Sequence, residues 1–397
     1  MFTNDEIVHL FQEVLGYHGE FIALHEPNFT GNEWQYVKEC LDTGWVSSVG
    51  KYVTQFEQDL ADFTGSKHAI ATMNGTAALH ICYLMAGVQA GDEVLMPTLT
   101  FVATANALSY CGATPHFIDS EANHLGIDCN ALDQYLHDIT DKQGNTTINR
   151  HTGRPLRALC VMHTLGHPVD LDAVEKICQK YHLILIEDAA EALGSYYKGE
   201  HVGHRGLVGA LSFNGNKIIT TGGGGAVLTN DAQIAKHAKH ITTTAKLNHP
   251  WQFEHDEVAY NYRLPNLNAA VGCAQLEKMT AKLQAKRVLL QKYQNAFADS
   301  KEFKMVTEPL FARSNYWLNA LLLADNTDAL ARRDQLLKAL NDKGIMTRPI
   351  WNLLHTLPMY ANCPRMPLPV AENLINRMIQ IPSSPQLILQ KQAAPVF

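Results

Sequence analysis

The chain has 397 residues, 46% of them hydrophobic, and a formal net charge of -7. That is too long for one small core and enough for two domains, or for one large domain with an appendage. Charges of both signs are scattered along it, which argues against a nucleic-acid partner, because a phosphate backbone demands a concentrated basic surface.

Cysteines stand at positions 40, 82, 111, 129, 160, 178, 273 and 363, with no Cys-x-x-Cys pair, and several lie inside apolar runs such as Leu159-Cys160-Val161. Buried, reduced thiols are therefore expected. The N-terminus carries acids early and lacks a basic start, and no stretch reaches the ~20 apolar residues that span a bilayer. The expectation is a cytoplasmic protein without a membrane partner.

In chain order, residues 5–16 carry apolar side chains at helical spacing with Gly16 as a stop, and a second helical pattern covers 31–43. WVSSVGKYV, 45–53, reads as a loop. From Ser66 onward, short apolar runs alternate with helices: strand 68–73, helix 74–88, strand 93–97, helix 100–112 and strand 114–119. The polar segment 138–155 reads as a surface loop. Strands 156–163 and 182–189 flank a helix, and a long helix follows near 266–296. Residues 300–397 mix a strand-like run at 317–323 with helical stretches, which suggests a smaller α/β unit. Continuous apolar strands separated by helices predict a mostly parallel sheet covered on both faces.

Four features sit where such a sheet binds ligands, at loops leaving the C-terminal strand ends; one of them, Tyr260-Asn261-Tyr262-Arg263 ahead of the long helix, signals by itself only a polar loop. Asn74-Gly75-Thr76-Ala77 opens a helix, and unpaired N–H groups there favour a phosphate. Asn and Thr are also ordinary helix caps. Asp188 ends the apolar run LILIE, where a carboxylate needs a cationic answer such as a protonated pyridine nitrogen; capping the next helix is the other use for it. Lys217 follows the apolar run VGALSF, and a desolvated amine is the form that attacks an aldehyde. A lysine taken singly is ordinarily a solvated one. The run Gly222–Gly225 permits a strained turn or close contact, yet no Gly-x-x-x-x-Gly-Lys-[Ser/Thr] loop is present. Phosphate loop, strand-end Asp, then Lys about thirty residues later is the layout of fold-type-I pyridoxal-phosphate enzymes.

The phrases GWVSSVGKYVTQFE, NGTAALH, GDEVLMPTLTFVATANA, HTLGHPVD, EDAAEALGS, SFNGNK, EVAYNYRLPNLNAA and IPSS extend the likeness from about Phe21 to Ser384. Through them the chain resembles the DegT family of nucleotide-sugar aminotransferases. The resemblance implies a mostly parallel seven-stranded sheet sandwiched by helices, with an N-terminal helical extension over 1–30, a large cofactor domain over 31–275 and a small α/β domain over 276–397. It implies pyridoxal 5'-phosphate held covalently by Lys217, which would also move the proton between cofactor and sugar. Asp188 would bond the pyridine nitrogen, and Glu191 would lie near the ring hydroxyl or the substrate. Gly75, Thr76 and Ser212 would hold the phosphate, and Phe101 would stack on the ring. Asn261 would reach the phosphate of a neighbouring subunit, which implies a homodimer. Many members carry Gly-Glu-Gly-Gly after the lysine, whereas this chain has four glycines. Sugar dehydratases of the same fold replace the lysine by histidine; this chain keeps it.

FIALHEPNFTGNEW, WVSSVGKYV and TRPIWNLLH look most like the legionaminic acid and bacillosamine branch, which aminates C4 of a UDP-linked 4-keto-6-deoxy-N-acetylglucosamine for surface glycans, with L-glutamate as donor. The perosamine branch, acting on GDP-linked 4-keto-6-deoxymannose, is the alternative. Trp45, Ser47, Ser48 and Lys51 are expected to border the sugar nucleotide. Arg348, whose fork suits a diphosphate, and His355, flanking Trp351, are expected to contact the substrate, His355 the more so; packing of the small domain is the other use for them. His163 and His167 stand four apart, but Gly166 and Pro168 argue against a helix there, so no metal pair is expected. His163 is expected to line the substrate or cofactor pocket instead.

Overall fold

The computed structural model describes residues 2–17 and 19–392, with side chains up to Leu389. Its apolar runs become the strands of one large sheet. In spatial order these are His68–Thr72, Gly225–Thr229, Val208–Ser212, Ile184–Asp188, Pro155–Met162, Glu93–Pro97 and Thr114–Ile118. Every neighbouring pair is parallel except the two made by Gly225–Thr229, which runs against both of its neighbours. The expected seven-stranded, mostly parallel sheet is present. Its parallel strands are buried nearly throughout, because helices cover both faces.

Two further strands extend the sheet to nine. Thr140–Gln143 and Thr146–Asn149 form an antiparallel hairpin that pairs with Pro155–Met162, where a surface loop was expected. The polarity of this stretch conceals its burial. Thr147 and Asn149 are almost fully buried, with Thr147 Oγ1 donating to Tyr181 O and Asn149 Nδ2 donating to Glu93 Oε2 at 2.8 Å. Polar side chains with partners of this kind can sit inside, so periodicity read from hydropathy misses them.

Two helix boundaries also differ. The loop expected over 45–53 gives way at Lys51 to the helix Lys51–Thr64, which buries Tyr52, Val53, Phe56 and Leu60 on one face. The long helix expected near 266–296 is two helices, Asn266–Glu277 and Met279–Ala296, meeting at Lys278. All eight cysteines are unpaired thiols. Among the described residues, no helix is long and apolar enough to cross a membrane.

The C-terminal part builds a four-stranded antiparallel sheet in the order Phe303–Met305, Asn319–Leu323, Met378–Ile381, Arg348–Pro349. The N-terminal helix Asn4–Leu15 joins this core, placing Phe11 5.7 Å from Tyr293 and 5.9 Å from Phe297 between ring centroids. A capping box between Thr3 and Glu6 starts that helix, and Gly16 at φ 60° ends it.

Phe56 connects the covering helices to the site. It is fully buried, its ring lies 5.1 Å from that of Phe213, and a Cβ on Gly272 would come within 2.7 Å of it. Phe56 is thus tightly enclosed between the covering helix at Gly272 and Phe213, the residue after the strand end at Ser212. Phe56→Ala is therefore expected to cost about 3–5 kcal/mol, read as a lower denaturant midpoint with an unchanged slope.

Candidate active site

The strand ends predicted to carry chemistry converge on one cavity of about 320 Å³, within the range of small-molecule sites. Gly75, Thr76, Phe101, Asp188, Glu191, Ser212 and Lys217 all line it. One side is the start of the helix Gly75–Met85. Asn74 caps that helix, its Oδ1 accepting from Ala77 N at 2.8 Å, which leaves the amides of Gly75 and Thr76 at the mouth. A Cβ on Gly75 would lie 2.8 Å from Ser212 Cβ, so only glycine lets the helix start meet the strand Val208–Ser212 this closely. Gly225 does the same from behind, where a Cβ would lie 2.6 Å from the carbonyl of Asn74.

Asp188 is 2% exposed at the end of its strand. Its Oδ2 accepts from Thr104 Oγ1 at 2.7 Å and its Oδ1 from Ala190 N at 3.1 Å, which fixes the carboxylate plane. Burial pushes this carboxyl above its ordinary range, while Thr104, the Ala190 amide and Lys217 oppose the shift. A carboxylate held so is the partner a protonated ring nitrogen requires.

Lys217 follows Ser212 by a tight loop. Its Nζ lies 3.3 Å from Glu191 Oε1 and 3.9 Å from the centroid of the Trp317 ring, with its side chain 12% exposed. Glu191 Oε2 accepts from Leu165 N at 2.9 Å. Leu165 holds a left-handed backbone at φ 55°, strain of the kind kept where an amide must point at a particular group. A phosphate-sized cradle, a buried carboxylate and an amine thus face one space. This donor set fits pyridoxal phosphate: Gly75, Thr76 and Ser212 for the phosphate, Asp188 for the ring nitrogen, and Lys217 for the aldehyde.

Other expectations are corrected. His163 does not reach the cavity. It is fully buried, with Nε2 3.0 Å from Glu187 Oε2 and Nδ1 accepting from Val169 N, so it braces the strand behind Asp188. His167 turns elsewhere, edge-on to Tyr316 at 5.2 Å. Arg348 is exposed and pairs with Gln380 in the small sheet, outside the cavity. His355 packs on Thr98, with Nδ1 2.8 Å from its Oγ1, and also lies outside. From that segment only Trp351 reaches the cavity, 6.1 Å from Phe101 between ring centroids.

Trp45 and Lys51 border a different groove with Arg263 and Asn266. Asn266 ties this segment down: its Nδ2 donates to Trp45 O and its backbone N to Ser47 O, while Lys51 pairs with Glu39. Ser48 follows in the same bend and is not part of the Lys217 cavity. Arg263 Nε is buried there without a hydrogen-bond partner among the described residues. Asn261 is exposed beside it, bridged to Thr243 through the backbone. The residues missed by sequence reasoning are Thr104, Met162 and Trp317. Thr104 lies within TFVATANA, three positions past Phe101, and one helical turn from a cavity residue was its available signal.

Glu191 gives the site a measurable titration. Burial pushes its carboxyl up to about 7 from the usual 4.5, against the pull of the Lys217 ammonium and the Leu165 amide. The folded chain therefore holds this proton more tightly than the unfolded chain. The stability this group contributes is full below its unfolded value and is lost as pH rises through about 7. Glu191→Gln removes that dependence. The denaturant midpoint of the cofactor-free variant should gain on that of the parent between about pH 5 and about pH 8. A gap that stays constant over this range would contradict the assignment.

Residues 27–395 match the DegT/DnrJ/EryC1/StrS aminotransferase family. The chain is 38% identical over 368 residues to GDP-perosamine synthase from Escherichia coli O157:H7, covering 93% of this chain and 94% of that one. It is 36% identical over 354 residues to GDP-perosamine synthase from Caulobacter vibrioides, covering 88% and 90%. Among solved structures it is similar to Helicobacter pylori PseC, an aminotransferase involved in the biosynthesis of pseudoaminic acid, with a TM-score of 0.81 and 27% identity over 91% of this chain and 94% of that one. The chain belongs to the DegT/DnrJ/EryC1/StrS family and is a pyridoxal-phosphate-dependent nucleotide-sugar aminotransferase of fold type I.

Proposed function

We propose that this enzyme moves an amino group from L-glutamate to C4 of GDP-linked 4-keto-6-deoxymannose, for surface-glycan synthesis, and that it works as a homodimer. The observation that carries the choice of sugar is the likeness to GDP-perosamine synthases along nearly the whole chain. This reverses the order suggested by the sequence phrases, which favoured a UDP-linked 4-keto-6-deoxy-N-acetylglucosamine.

Pyridoxal phosphate, when bound, supplies an electron sink for the carbon that loses or gains a proton. The chain's own residues then divide the work. The Gly75 and Thr76 amides and the Ser212 hydroxyl would hold the phosphate, and Asp188 would keep the ring nitrogen protonated. Lys217 Nζ takes the α-proton of glutamate and later delivers a proton to C4 of the sugar. Glu191, 3.3 Å away and pushed up to about 7, can accept or return a proton to that amine near neutral pH. Phe101 and Trp351 wall the cavity and shield it from water. The 2-oxoglutarate product departs before the keto sugar binds. The groove holding Trp45, Lys51 and Arg263, whose Nε has no hydrogen-bond partner among the described residues, together with Asn261, supports a dimer in which these groups serve a second subunit's site.

Lys217→Ala should lower turnover by at least about 10²- to 10⁴-fold, the usual share of a positioned acid or base. In the parent enzyme, borohydride should fix the cofactor to the peptide containing position 217. Supplying the GDP- and UDP-linked 4-keto sugars separately with glutamate, and identifying products by mass and NMR, decides the substrate. Amination of the UDP sugar alone would overturn the GDP assignment. Initial-rate lines for donor and sugar should be parallel, as a two-stage shuttle requires.

A further inference from the structure

Glu191 is held in place by the segment that leads into the strand Asn319–Leu323. Ser314 and Asn315, in that segment, are each 1% exposed. Asn315 Nδ2 donates to Glu191 O and to Leu193 O, each at 2.8 Å, and its backbone N donates to Ser195 Oγ at 2.9 Å. Its Oδ1 accepts from Trp317 N at 2.7 Å. Both amide hydrogens and the amide oxygen are thus engaged, as a buried side chain of this kind requires.

The same two residues brace the turn that binds the Glu191 carboxylate. Gly166 O accepts from Ser195 Oγ at 2.6 Å and from Ser314 Oγ at 2.9 Å. Asn315 Oδ1 packs so closely on Gly166 that a Cβ there would lie 1.9 Å from it. Leu165 and Gly166 are both left-handed, at φ 55° and 93°, and the Leu165 amide aimed by this turn donates to Glu191 Oε2 at 2.9 Å. One side chain therefore grips Glu191 at both ends. It bonds the backbone carbonyl directly, and it packs on the turn that fixes one carboxylate oxygen. The other oxygen, Oε1, then stands 3.3 Å from Lys217 Nζ. Lys217 has to be a neutral amine when it takes the α-proton of glutamate, and Glu191 is within reach to clear a proton from it: the N–H at Nζ breaks as an O–H forms at Oε1. Such transfers work over roughly 2.6–3.2 Å between heavy atoms, which leaves Glu191 little room to drift.

We propose that Asn315 is a positioning residue for the proton transfers of this enzyme: by tying the Glu191 backbone to the Leu165–Gly166 turn it keeps the Glu191 carboxyl within reach of the Lys217 amine. The proposal rests on Lys217 as the cofactor-bearing lysine and on Glu191 as its proton partner, but not on which sugar is used.

The test is the first half-reaction of the cofactor-loaded enzyme, followed in single turnovers with glutamate by the cofactor's visible absorbance. Asn315→Leu keeps the size and removes the amide. It should slow this half-reaction by roughly 10- to 10²-fold, the range reached when a reacting group is misplaced by about 1 Å. The glutamate concentration giving half the maximal rate should stay near that of the parent. The ratio of rates for glutamate and its α-deuterated form should rise, because proton transfer then limits the half-reaction more completely. A smaller folded fraction would lower the amplitude alone and leave the rate and this ratio unchanged. On top of Glu191→Gln, Asn315→Leu should add less than about 2-fold, since both changes act through one carboxyl. Ser195→Ala leaves Asn315 in place but removes the hydroxyl joining it to Gly166 O, and it should move the rate and the isotope ratio in the same direction by less. It carries the test if Asn315→Leu does not fold, and parent values in it then count against the proposal. Should Asn315→Leu lower the melting temperature while the single-turnover rate and isotope ratio stay at the parent values, Asn315 is a structural bond only and the proposal fails. Full additivity with Glu191→Gln overturns it as well. If Glu191→Gln itself leaves the half-reaction unchanged, the reading of Glu191 as proton partner falls and takes the proposal with it, an outcome distinct from the other two.

Discussion

Charge has to be held where water cannot reach it, and the rest of the site follows from that constraint. Asp188 and Glu191 are 2% and 3% exposed, and they share one cavity with the Lys217 amine. In surroundings of low dielectric an unanswered charge is far more costly than at the surface, so each needs a specific partner. Asp188 has a hydroxyl and an amide, Glu191 an amide and the lysine, and Lys217 a carboxylate and an indole face. The parallel sheet makes the arrangement possible by ending Ile184–Asp188 and Val208–Ser212 side by side, with the helix start at Gly75 facing them.

Much of this is legible in the sequence. Fully buried parallel strands leave unbroken apolar runs, and the residue that ends such a run is placed at the ligand face whatever the tertiary detail. Asp188, Ser212 and the Asn74–Ala77 helix start follow from that rule. The phrases shared with the DegT family then assign roles that spacing alone leaves open, since a lone strand-end Asp or Lys has ordinary structural uses. Glu191 and Phe101 come only from those phrases, because nothing in local hydropathy marks them.

What stays hidden has two physical causes. The first is the satisfied polar interior. Thr147, Asn149 and His163 are nearly or fully buried because each has a bonding partner, and a sequence prints them as surface or as site residues. The second is distance along the chain. Trp317 lies a hundred residues beyond Lys217, inside a run that reads as an ordinary strand, and only the packing of the small sheet brings it over the amine. His355 and Arg348 fail for the reverse reason. Their chemistry suits substrate contact, but the fold commits them to Thr98 and to the edge of the small sheet.

The four-glycine run shows how steric fact and family pattern are separated. A Cβ at Gly224 would lie 2.2 Å from Thr221 Oγ1, and one at Gly225 would lie 2.6 Å from the Asn74 carbonyl, so both are fixed by close approach. Gly222 turns the chain at φ 82°, where a side chain would be strained. At Gly223, where the resemblance to the DegT pattern leads to the expectation of glutamate, a Cβ would meet nothing nearer than Met73 O at 3.8 Å. Three of the glycines are therefore required by the backbone that shapes the phosphate cradle. The fourth is not: a side chain at position 223 would meet only ordinary contact.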